Sequence, residues 1–377
     1  MNQYDVLDQF PLSIASGEAF CNRVEETARL KLCIEQRRPV LLVSPRRYGK
    51  TSLALHAINQ TKLPFSHIDF FSAVDEQDIE RAILNGIGKL IGSMESLPKR
   101  ALALAAEVFE GSKIRAVLSK VGVTIEVENR REKPTNTILD VLERLEKLAE
   151  KTKNKLVLFF DEFQCLGEVA PDHGMEGVLR QVAQLTKSIS FIFSGSNRHL
   201  LNQLFEDRKR PFYKLCERMT LDRIAESDYA QHIQSTSIKK WGSSLDEEVL
   251  KSLFAYSERH PYYLNLLCSR MVYEKLKPSQ STIDDLWNKY VMEERSNIGA
   301  EVELLSKNQK KLLTILSRTN GTYFPLGSDF IQIAKMSKAT VDQSLIFLDR
   351  HDYISRAQDG FVSVLDPLIK AALSGLY

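Results

Sequence analysis

The sequence predicts an α/β protein that begins with a doubly wound, mostly parallel sheet. Strand-like and helix-like apolar patterns alternate over residues 1–225. The run Leu156–Phe160 is continuously apolar, as expected for a parallel strand that is covered on both faces. Beyond about Ala225 the pattern indicates helices only, until a hairpin-like segment near the C-terminus. These three observations separate an α/β core from a second, mainly helical part.

Length and composition limit the class of protein. The chain of 377 residues suits two or three domains, and its 43% hydrophobic and 27% charged residues are typical of a globular protein. A net charge of +2 argues against a nucleic-acid coat protein or a membrane-surface binder. Five scattered cysteines predict free thiols in a reducing compartment. No signal-peptide pattern or membrane-spanning apolar run is seen, so we expect a cytoplasmic protein without a membrane partner.

The apolar patterns place the elements of the core. Strands are predicted at Pro39–Val43, Leu63–Phe71, Val121–Val127, Lys155–Phe160, Ser190–Phe193 and Arg218–Leu221. Residues 76–121 are predicted to be mainly helical, with Val121–Val127 as the edge of an inserted hairpin. A strong amphipathic helix starts at Pro134. A further helix over 177–186 is expected to turn three side chains inward, namely Val178, Val182 and Leu185.

The second part of the chain carries clear helix-start signals. Capping boxes are predicted at Ser244–Glu247 and Ser306–Gln309. His260-Pro261 is expected to open a helix, because proline is tolerated in a first turn. From Leu305 the order is helix, helix, helix and hairpin, with Asp359-Gly360 at the hairpin turn. This is the order of a winged helix.

The stretch Ser44-Pro-Arg-Arg-Tyr-Gly-Lys-Thr51 joins the first strand to an amphipathic helix, which is the layout of a phosphate-binding P-loop. The free N–H groups and partial positive charge of a helix start favour an anion. Gly49 would admit a phosphate close to the backbone, Lys50 would reach the β- and γ-phosphates, and Thr51 would bind Mg²⁺. The nucleotide-binding residues predicted here are Ser44, Pro45, Arg46, Arg47, Tyr48, Gly49, Lys50, Thr51 and Ser52. On its own, the stretch is also compatible with an ordinary strand–loop–helix corner.

Two acids follow the apolar strand Lys155–Phe160. Asp161 would hold Mg²⁺ through water, and Glu162 would activate the attacking water as a general base. The alternative from these residues alone is that the acids end a strand and cap a helix. Together with the loop, they indicate nucleotide binding and hydrolysis, with Lys50 and Glu162 as catalytic residues.

Further candidate residues lie downstream. Ser194 and Ser196 end the strand that would lie between the two motif strands. We expect a hydroxyl there, with Ser194 as the candidate, or the Asn197 amide to contact the γ-phosphate or the water; the alternative is an ordinary polar strand end. An arginine finger would stabilise the transferring phosphoryl group. The arginines considered are Arg198, Arg208, Arg210 and Arg218, with Arg210 taken as the candidate. His260 and Pro261 are expected to cover the nucleotide from a helical lid; the alternative for the histidine is a packed or helix-capping side chain.

With these residues in place, the sequence resembles the archaeal-type ATPase family, a branch of the P-loop NTPases related to AAA+ and to STAND signalling ATPases. The matching segments are Phe20–Glu25, Ser44–Ser52, Phe160–Gln164, Ser194–Ser196, Arg210–Tyr213, Arg259–Leu264 and Leu365–Leu368. The resemblance implies a P-loop NTPase of the ASCE type that uses ATP and Mg²⁺. It implies an ATPase core at 1–225, a helical lid at 226–300 and a winged-helix domain at 301–377.

The sequence departs from this family at two places. Ser44 stands where the family usually has glycine. The loop is therefore expected to bind nucleotide less tightly or to need a slight rearrangement for binding. Lys214-Leu215 stands where many relatives carry Gly-Arg. The arginine finger is therefore unassigned, with Arg210 and Arg218 as substitutes.

Two functions are compatible with these features. The first is a Mg²⁺-dependent ATPase switch, in which ATP or ADP sets the lid and winged helix and gates a protein partner that the sequence does not identify. Such a switch leaves a nucleotide-dependent homo-oligomer open. The second is a winged-helix DNA-binding regulator with ATP as a structural or regulatory ligand. From Leu304 to Tyr377 there are nine Lys and Arg against six Asp, a weak basic footprint that favours the first function.

Overall fold

The computed structural model describes residues 9–94, 98–110, 114–119, 122–127, 133–357 and 359–375. The chain divides into two compact units. The core unit is Arg23–Asp222, and the C-terminal unit is Met1–Asn22 together with Arg223–Tyr377. The predicted division of the second part into a lid and a winged-helix domain at residue 300 stays a prediction.

The core unit is built on a parallel sheet. Its strands, among the described residues, are β1 (Val40–Val43), β2 (Phe65–Asp69), β3 (Ile114–Ser119), β4 (Gly122–Val127), β5 (Leu156–Asp161), β6 (Ile189–Gly195) and β7 (Glu217–Thr220). Five of them form one sheet in the order β2-β5-β6-β1-β7, with every pairing parallel. The predicted doubly wound parallel fold is confirmed. Strand β6 lies between β1 and β5, as predicted for the strand that ends in Ser194.

The three central strands are apolar because helices cover both faces of the sheet. Every residue of β1, β5 and β6 is buried. In the register of the sheet, Phe160 is opposite Phe193 and Val43 is opposite Gly195. The carboxyl ends of the strands therefore meet at one edge, and this edge carries the polar residues of the two motifs.

Eight helices accompany this sheet in the described part of the core unit. They are α1 (Val24–Gln36), α2 (Lys50–Thr61), α3 (Glu76–Met94), α4 (Pro98–Phe109), α5 (Pro134–Thr152), α6 (Gln164–Val169), α7 (Gly174–Leu185) and α8 (Arg198–Glu206). The predicted inward position of Leu185 is wrong, because this side chain is 71% exposed. Helix α7 starts earlier than expected, so its buried stripe runs through Met175, Leu179 and Val182 and leaves its last residue outside.

The inserted hairpin has two strands where the sequence predicted one. The strand at β4 confirms the expected hairpin edge, but residues 114–119 form β3 and are not helical. Pairing with β4 overrides the local pattern, since Ala116 is opposite Ile125 in an antiparallel ladder. The hairpin also lies close to α3, where a Cβ at Gly88 would come within 2.6 Å of the Val123 carbonyl oxygen.

The C-terminal unit is mainly helical. A 3-10 turn at Gly17–Ala19 is followed, after the core unit, by α9 (Glu226–Trp241), α10 (Glu247–Ser257), α11 (Pro261–Tyr273), α12 (Gln280–Glu303), α13 (Lys307–Arg318), α14 (Ser328–Ala334), α15 (Lys338–Arg350), β8 (Ile354–Arg356), β9 (Val362–Val364) and α16 (Pro367–Ser374). The order from α13 to β9 is three helices followed by an antiparallel hairpin, and an isolated bridge joins Thr322 to Val362. This is the element order predicted for a winged helix.

One of the two predicted capping boxes forms. Ser306 accepts a bond from the backbone N–H of Gln309, whose side chain accepts in return from the backbone N–H of Ser306. The box at Ser244–Glu247 is wrong, because α10 has Asp246 at its N-cap and no side-chain cap bond. Gln234 instead holds this turn, with its amide bonded to both the N–H and the carbonyl of Leu245.

The segment before the core unit packs into the C-terminal unit. Phe10 is 1% exposed and belongs to the same apolar cluster as Ile233 and Leu264. The amide of Asn265 donates to the carbonyl of Pro11 at 2.8 Å. Within the described part of the chain, no helix combines the length and apolar character needed to cross a membrane.

Candidate functional site

The loop between β1 and α2 leaves the start of α2 open. Gly49 is the N-cap residue, with a φ of 89°, and no side chain caps the helix. A Cβ at Gly49 would meet nothing within 4 Å, so the left-handed backbone rather than crowding favours glycine here. The N-cap residue itself therefore supplies no side-chain acceptor at the start of α2, which is the arrangement of a phosphate-binding loop.

The side chain of Lys50 lies folded onto this loop. Its Nζ atom lies 2.9 Å from the Ser44 carbonyl oxygen, 3.0 Å from the Pro45 carbonyl oxygen and 3.3 Å from the Ser44 hydroxyl. Lys50 is 6% exposed and Ser44 is fully buried. The serine that replaces the usual glycine thus contributes an additional acceptor to the lysine. A phosphate could take over these contacts, because its oxygens accept the same N–H donors more strongly.

Asp161 at the end of β5 joins three elements. Its Oδ2 accepts a bond of 2.7 Å from the Thr51 hydroxyl at the start of α2, and its Oδ1 accepts from the Ser194 hydroxyl of β6. The Nε2 atom of His67, on β2, lies 3.5 Å from Oδ2. Burial raises the pKa of Asp161, but the polar contacts from His67, Ser194 and Thr51 outweigh it and lower the pKa to about 2. The carboxylate is therefore ionised at neutral pH.

The pair Thr51 and Asp161 fits a magnesium ion. A hydroxyl and an ionised carboxylate are oxygen ligands of the kind that Mg²⁺ prefers. The two oxygens already lie at hydrogen-bond distance, at the edge of the sheet where α2 begins. The sequence predicted both residues but gave no sign of His67, whose ring stacks on Phe159 at 4.7 Å.

Glu162 follows with a strained backbone, at a φ of 48°. Its Oε2 accepts from the Ser196 hydroxyl at 2.8 Å, from the Ser196 N–H at 3.3 Å and from the Gln164 amide at 2.5 Å. The two serines at the end of β6 thus hold different acids, with Ser194 on Asp161 and Ser196 on Glu162. Gln164 ends one of the segments that match the archaeal-type ATPases, but the sequence predicted no role for its side chain.

Two of the candidate arginine fingers, Arg210 and Arg218, bond to side chains outside the Lys50–Thr51 and Asp161–Glu162 motifs. Arg210 pairs with Glu176 at 2.7 Å, and this glutamate is fully buried and also 3.2 Å from His173 Nδ1. Arg218 donates to Asn202 at 2.8 Å. Within the loop, Pro45 and Tyr48 are buried, whereas the side chains of Arg46 and Arg47 are exposed. The finger role of Arg210 stays a prediction, and its charge is already matched by Glu176.

His260 and Pro261 lie in the C-terminal unit. His260 is the N-cap of α11, and its Nδ1 accepts from the Tyr262 N–H at 3.3 Å. The imidazole is buried, and its ring centre lies 4.9 Å from that of Tyr263. Their role in covering a nucleotide stays a prediction.

The parallel sheet with β6 between β1 and β5, and the Gly-Lys-Thr loop at its carboxyl edge, define a P-loop NTPase fold. A Walker-type ATPase of Pyrococcus abyssi has this architecture over the whole chain, with a TM-score of 0.70 at 16% identity, covering 97% of this chain and 99% of that one. The ORC2 protein of Aeropyrum pernix, in a structure of ADPNP–ADP complexes, gives a TM-score of 0.58 at 13% identity, covering 94% and 92%. Its ADP form gives 0.54 at 12%, covering 98% and 99%.

No protein-family model matches the sequence, and no curated protein sequence does. At these identities the likeness concerns the fold. The fold implied by the resemblance to archaeal-type ATPases is thereby confirmed.

Proposed function

We propose that the core unit binds ATP with Mg²⁺ and hydrolyses it to ADP and phosphate. One observation carries the proposal, namely that Lys50, Thr51, Asp161 and Glu162 all lie at the carboxyl edge of one parallel sheet. The likeness in fold to a Walker-type ATPase, and to a protein whose structure contains ADPNP and ADP, supports it.

Binding would use the open start of α2. The N–H groups after Gly49 would donate hydrogen bonds to phosphate oxygens. The ammonium group of Lys50 would exchange its carbonyl acceptors for phosphate oxygens. Thr51 and Asp161 would hold Mg²⁺. When bound, the ion neutralises charge on the phosphate oxygens. The Ser194 hydroxyl holds the carboxylate of Asp161 in place for this role.

Hydrolysis would use Glu162 as the general base. The carboxylate takes a proton from a water molecule while the water oxygen forms a bond to the γ-phosphorus. The bond from this phosphorus to the bridging oxygen breaks, and the electron pair stays with ADP. Ser196 supports this step by holding one oxygen of Glu162 through two hydrogen bonds.

We infer further that nucleotide state is passed to the winged helix, which gates a protein partner. The support lies within the C-terminal unit. The Tyr263 hydroxyl, on α11, bonds both oxygens of Asp366, the N-cap of α16, at 2.8 Å. Arg223 donates to the carbonyls of Glu258 and Leu365. A shift of the start of α11 would therefore carry α16 with it.

The DNA-binding alternative has weaker support. Helix α15, the recognition helix of the winged-helix order, exposes Lys338, Ala339 and Gln343 together with Ile346, which is 41% exposed. Base recognition relies on Arg, Lys, Asn and Gln, and phosphate contacts rely on basic residues. A helix face that mixes these side chains with alanine and isoleucine does not favour a reader of DNA sequence.

The glutamate Glu162 gives the direct test. We expect Glu162→Gln to lower Mg²⁺-dependent phosphate release from ATP by about 10²–10⁴-fold, because the base is lost. Binding of a fluorescent ATP analogue should stay at the parent level. The matched control is Glu168→Gln, the same change at an exposed glutamate of α6. Turnover at the parent rate in Glu162→Gln would show that the assigned base is wrong.

A further inference from the structure

Gln164 is a buried amide that contacts the proposed base. It is the first residue of α6, two residues after Glu162, and it is 7% exposed. Its amide nitrogen lies 2.5 Å from Glu162 Oε2. The atom facing the carboxylate must be the nitrogen, since an ionised carboxylate only accepts hydrogen bonds. The amide oxygen then has to lie on the other side.

That other side is occupied by Gly195, the last residue of β6. A Cβ at this position would lie 2.0 Å from the Gln164 amide oxygen and 3.2 Å from Leu201 Cδ1. The amide oxygen is buried and has no hydrogen-bond partner among the described residues. Any side chain larger than hydrogen at residue 195 would therefore displace the amide from Glu162. The glycine makes room for this specific contact.

The hydrogen bonds to the Glu162 carboxylate are all on one of its two oxygens. Oε2 receives the Gln164 amide and both donors of Ser196, whereas Oε1 makes no hydrogen bond to the described residues. An anchored Oε2 fixes the plane of the carboxylate and leaves Oε1 as the acceptor for a water proton. A fixed base geometry accelerates proton transfer, because the reacting groups need no further reorganisation.

We propose that Gln164 is a positioning residue that orients Glu162 for water activation, and that Gly195 is required to place it. This inference rests on the proposed ATPase function. Gln164 acts through Glu162 and touches neither nucleotide nor metal. Its loss should therefore slow the chemical step without changing the binding of ATP.

Gln164→Leu removes the amide while keeping a side chain of similar size. We expect kcat for ATP hydrolysis to fall by about 10–100-fold, the effect of losing one hydrogen bond to a charged group, with an unchanged KM. The affinity for a non-hydrolysable ATP analogue should also be unchanged. Gln181→Leu, at an exposed position of α7, is the matched control and should keep the parent rate.

Two double variants separate positioning from a general structural effect. Gln164→Leu added to Glu162→Gln should cause no further loss, because the group it positions is already gone. Gly195→Ala alone should lower kcat as Gln164→Leu does. In a Gln164→Ala background, Gly195→Ala should have no additional effect, since the amide that it displaces is absent.

The outcomes distinguish this inference from the function on which it rests. Parent-level turnover by Gln164→Leu, with Glu162→Gln inactive, overturns the positioning role and leaves the ATPase proposal standing. A rise in KM or a loss of analogue binding in Gln164→Leu, or a further loss in the Glu162→Gln background, also overturns it. Absence of Mg²⁺-dependent turnover in the parent protein overturns both proposals.

Discussion

Helices α2 and α11 begin in opposite ways. The start of α2 has Gly49 as its N-cap, and a glycine supplies no side-chain acceptor to the helix that follows it. The start of α11 is closed by its own N-cap, because His260 accepts the N–H of Tyr262. Both helices begin where the sequence predicted a nucleotide contact.

The difference shows how much of each helix start is available to a ligand. A capped helix has already used a donor that an anion would need, whereas an uncapped one retains it. The lysine next to the open start is folded onto backbone carbonyls, and the histidine at the closed start is buried beside the ring of Tyr263. We therefore expect substitutions at the start of α2 to change mainly the affinity for nucleotide. Substitutions at the start of α11 should change mainly the free energy of unfolding.

Of the changes that compare the two helix starts, the largest effect is expected at the open one. Lys50→Ala should weaken binding of a fluorescent ATP analogue by about 10–100-fold, the equivalent of about 1.5–3 kcal/mol for a lost charge-assisted hydrogen bond. Lys62→Ala, an exposed lysine at the other end of the same helix, is the control and should bind as the parent does. Equal loss in both variants would mean that net charge, not the loop, determines the affinity.

A smaller effect is expected from the bond that fixes α11 to α16. Tyr263→Phe should lower the free energy of unfolding by about 1–2 kcal/mol at neutral pH, because the Asp366 carboxylate loses a donor. Tyr273→Phe, at an exposed position on the same helix, should leave it unchanged. Chemical unfolding followed by circular dichroism measures both variants. A fully stable Tyr263→Phe would show that the remaining backbone donors satisfy Asp366.

The same variant has a signed pH dependence. Burial raises the pKa of Asp366 above its ordinary value of 3.8, and the Tyr263 hydroxyl works against that rise. A raised pKa in the folded state means that stability is lost as the pH increases through it. Removing the hydroxyl raises the pKa further, so the deficit of Tyr263→Phe should grow from acid to neutral pH. A deficit independent of pH would assign it to packing.

The smallest effect is expected at the cap of α11. His260→Ala should cost about 0.5–1 kcal/mol of unfolding free energy through the lost cap acceptor, and His260→Asn should restore most of it. Thermal unfolding measures both. If His260→Asn is as stable as the parent but binds ATP more weakly, the predicted lid role of His260 gains support. An unstable His260→Asn would contradict the cap as the source of the effect.

The sequence was informative where the signal was local. Gly49, Lys50 and Thr51 follow a short apolar strand, and Asp161 and Glu162 follow another, so both motifs were visible without any knowledge of contacts. The carboxyl ends of parallel strands meet at one edge, which is why two distant motifs could be assigned to one site.

Contacts set by register and backbone strain were not visible. The bond from Gln164 to Glu162 depends on a left-handed residue at 162 and on the space at Gly195, and neither follows from residue type. His67 falls within a predicted strand, but which face it occupied could not be known. Residues 114–119 were predicted to be helical. They form a strand because they pair with β4, and the local sequence pattern does not reveal this tertiary contact.

The division of the chain into units sets an order for folding during synthesis. The core unit is complete once Asp222 has emerged, whereas Phe10 belongs to a cluster whose other members come after it. Domains generally fold as the chain leaves the ribosome, so the core unit can form first. The segment around Phe10 must then wait for α9 to α16. The segment around Phe10 and the helices from α9 onward are therefore both needed to finish the C-terminal unit, and loss of the Phe10 side chain would leave a gap in a helical region far away in sequence.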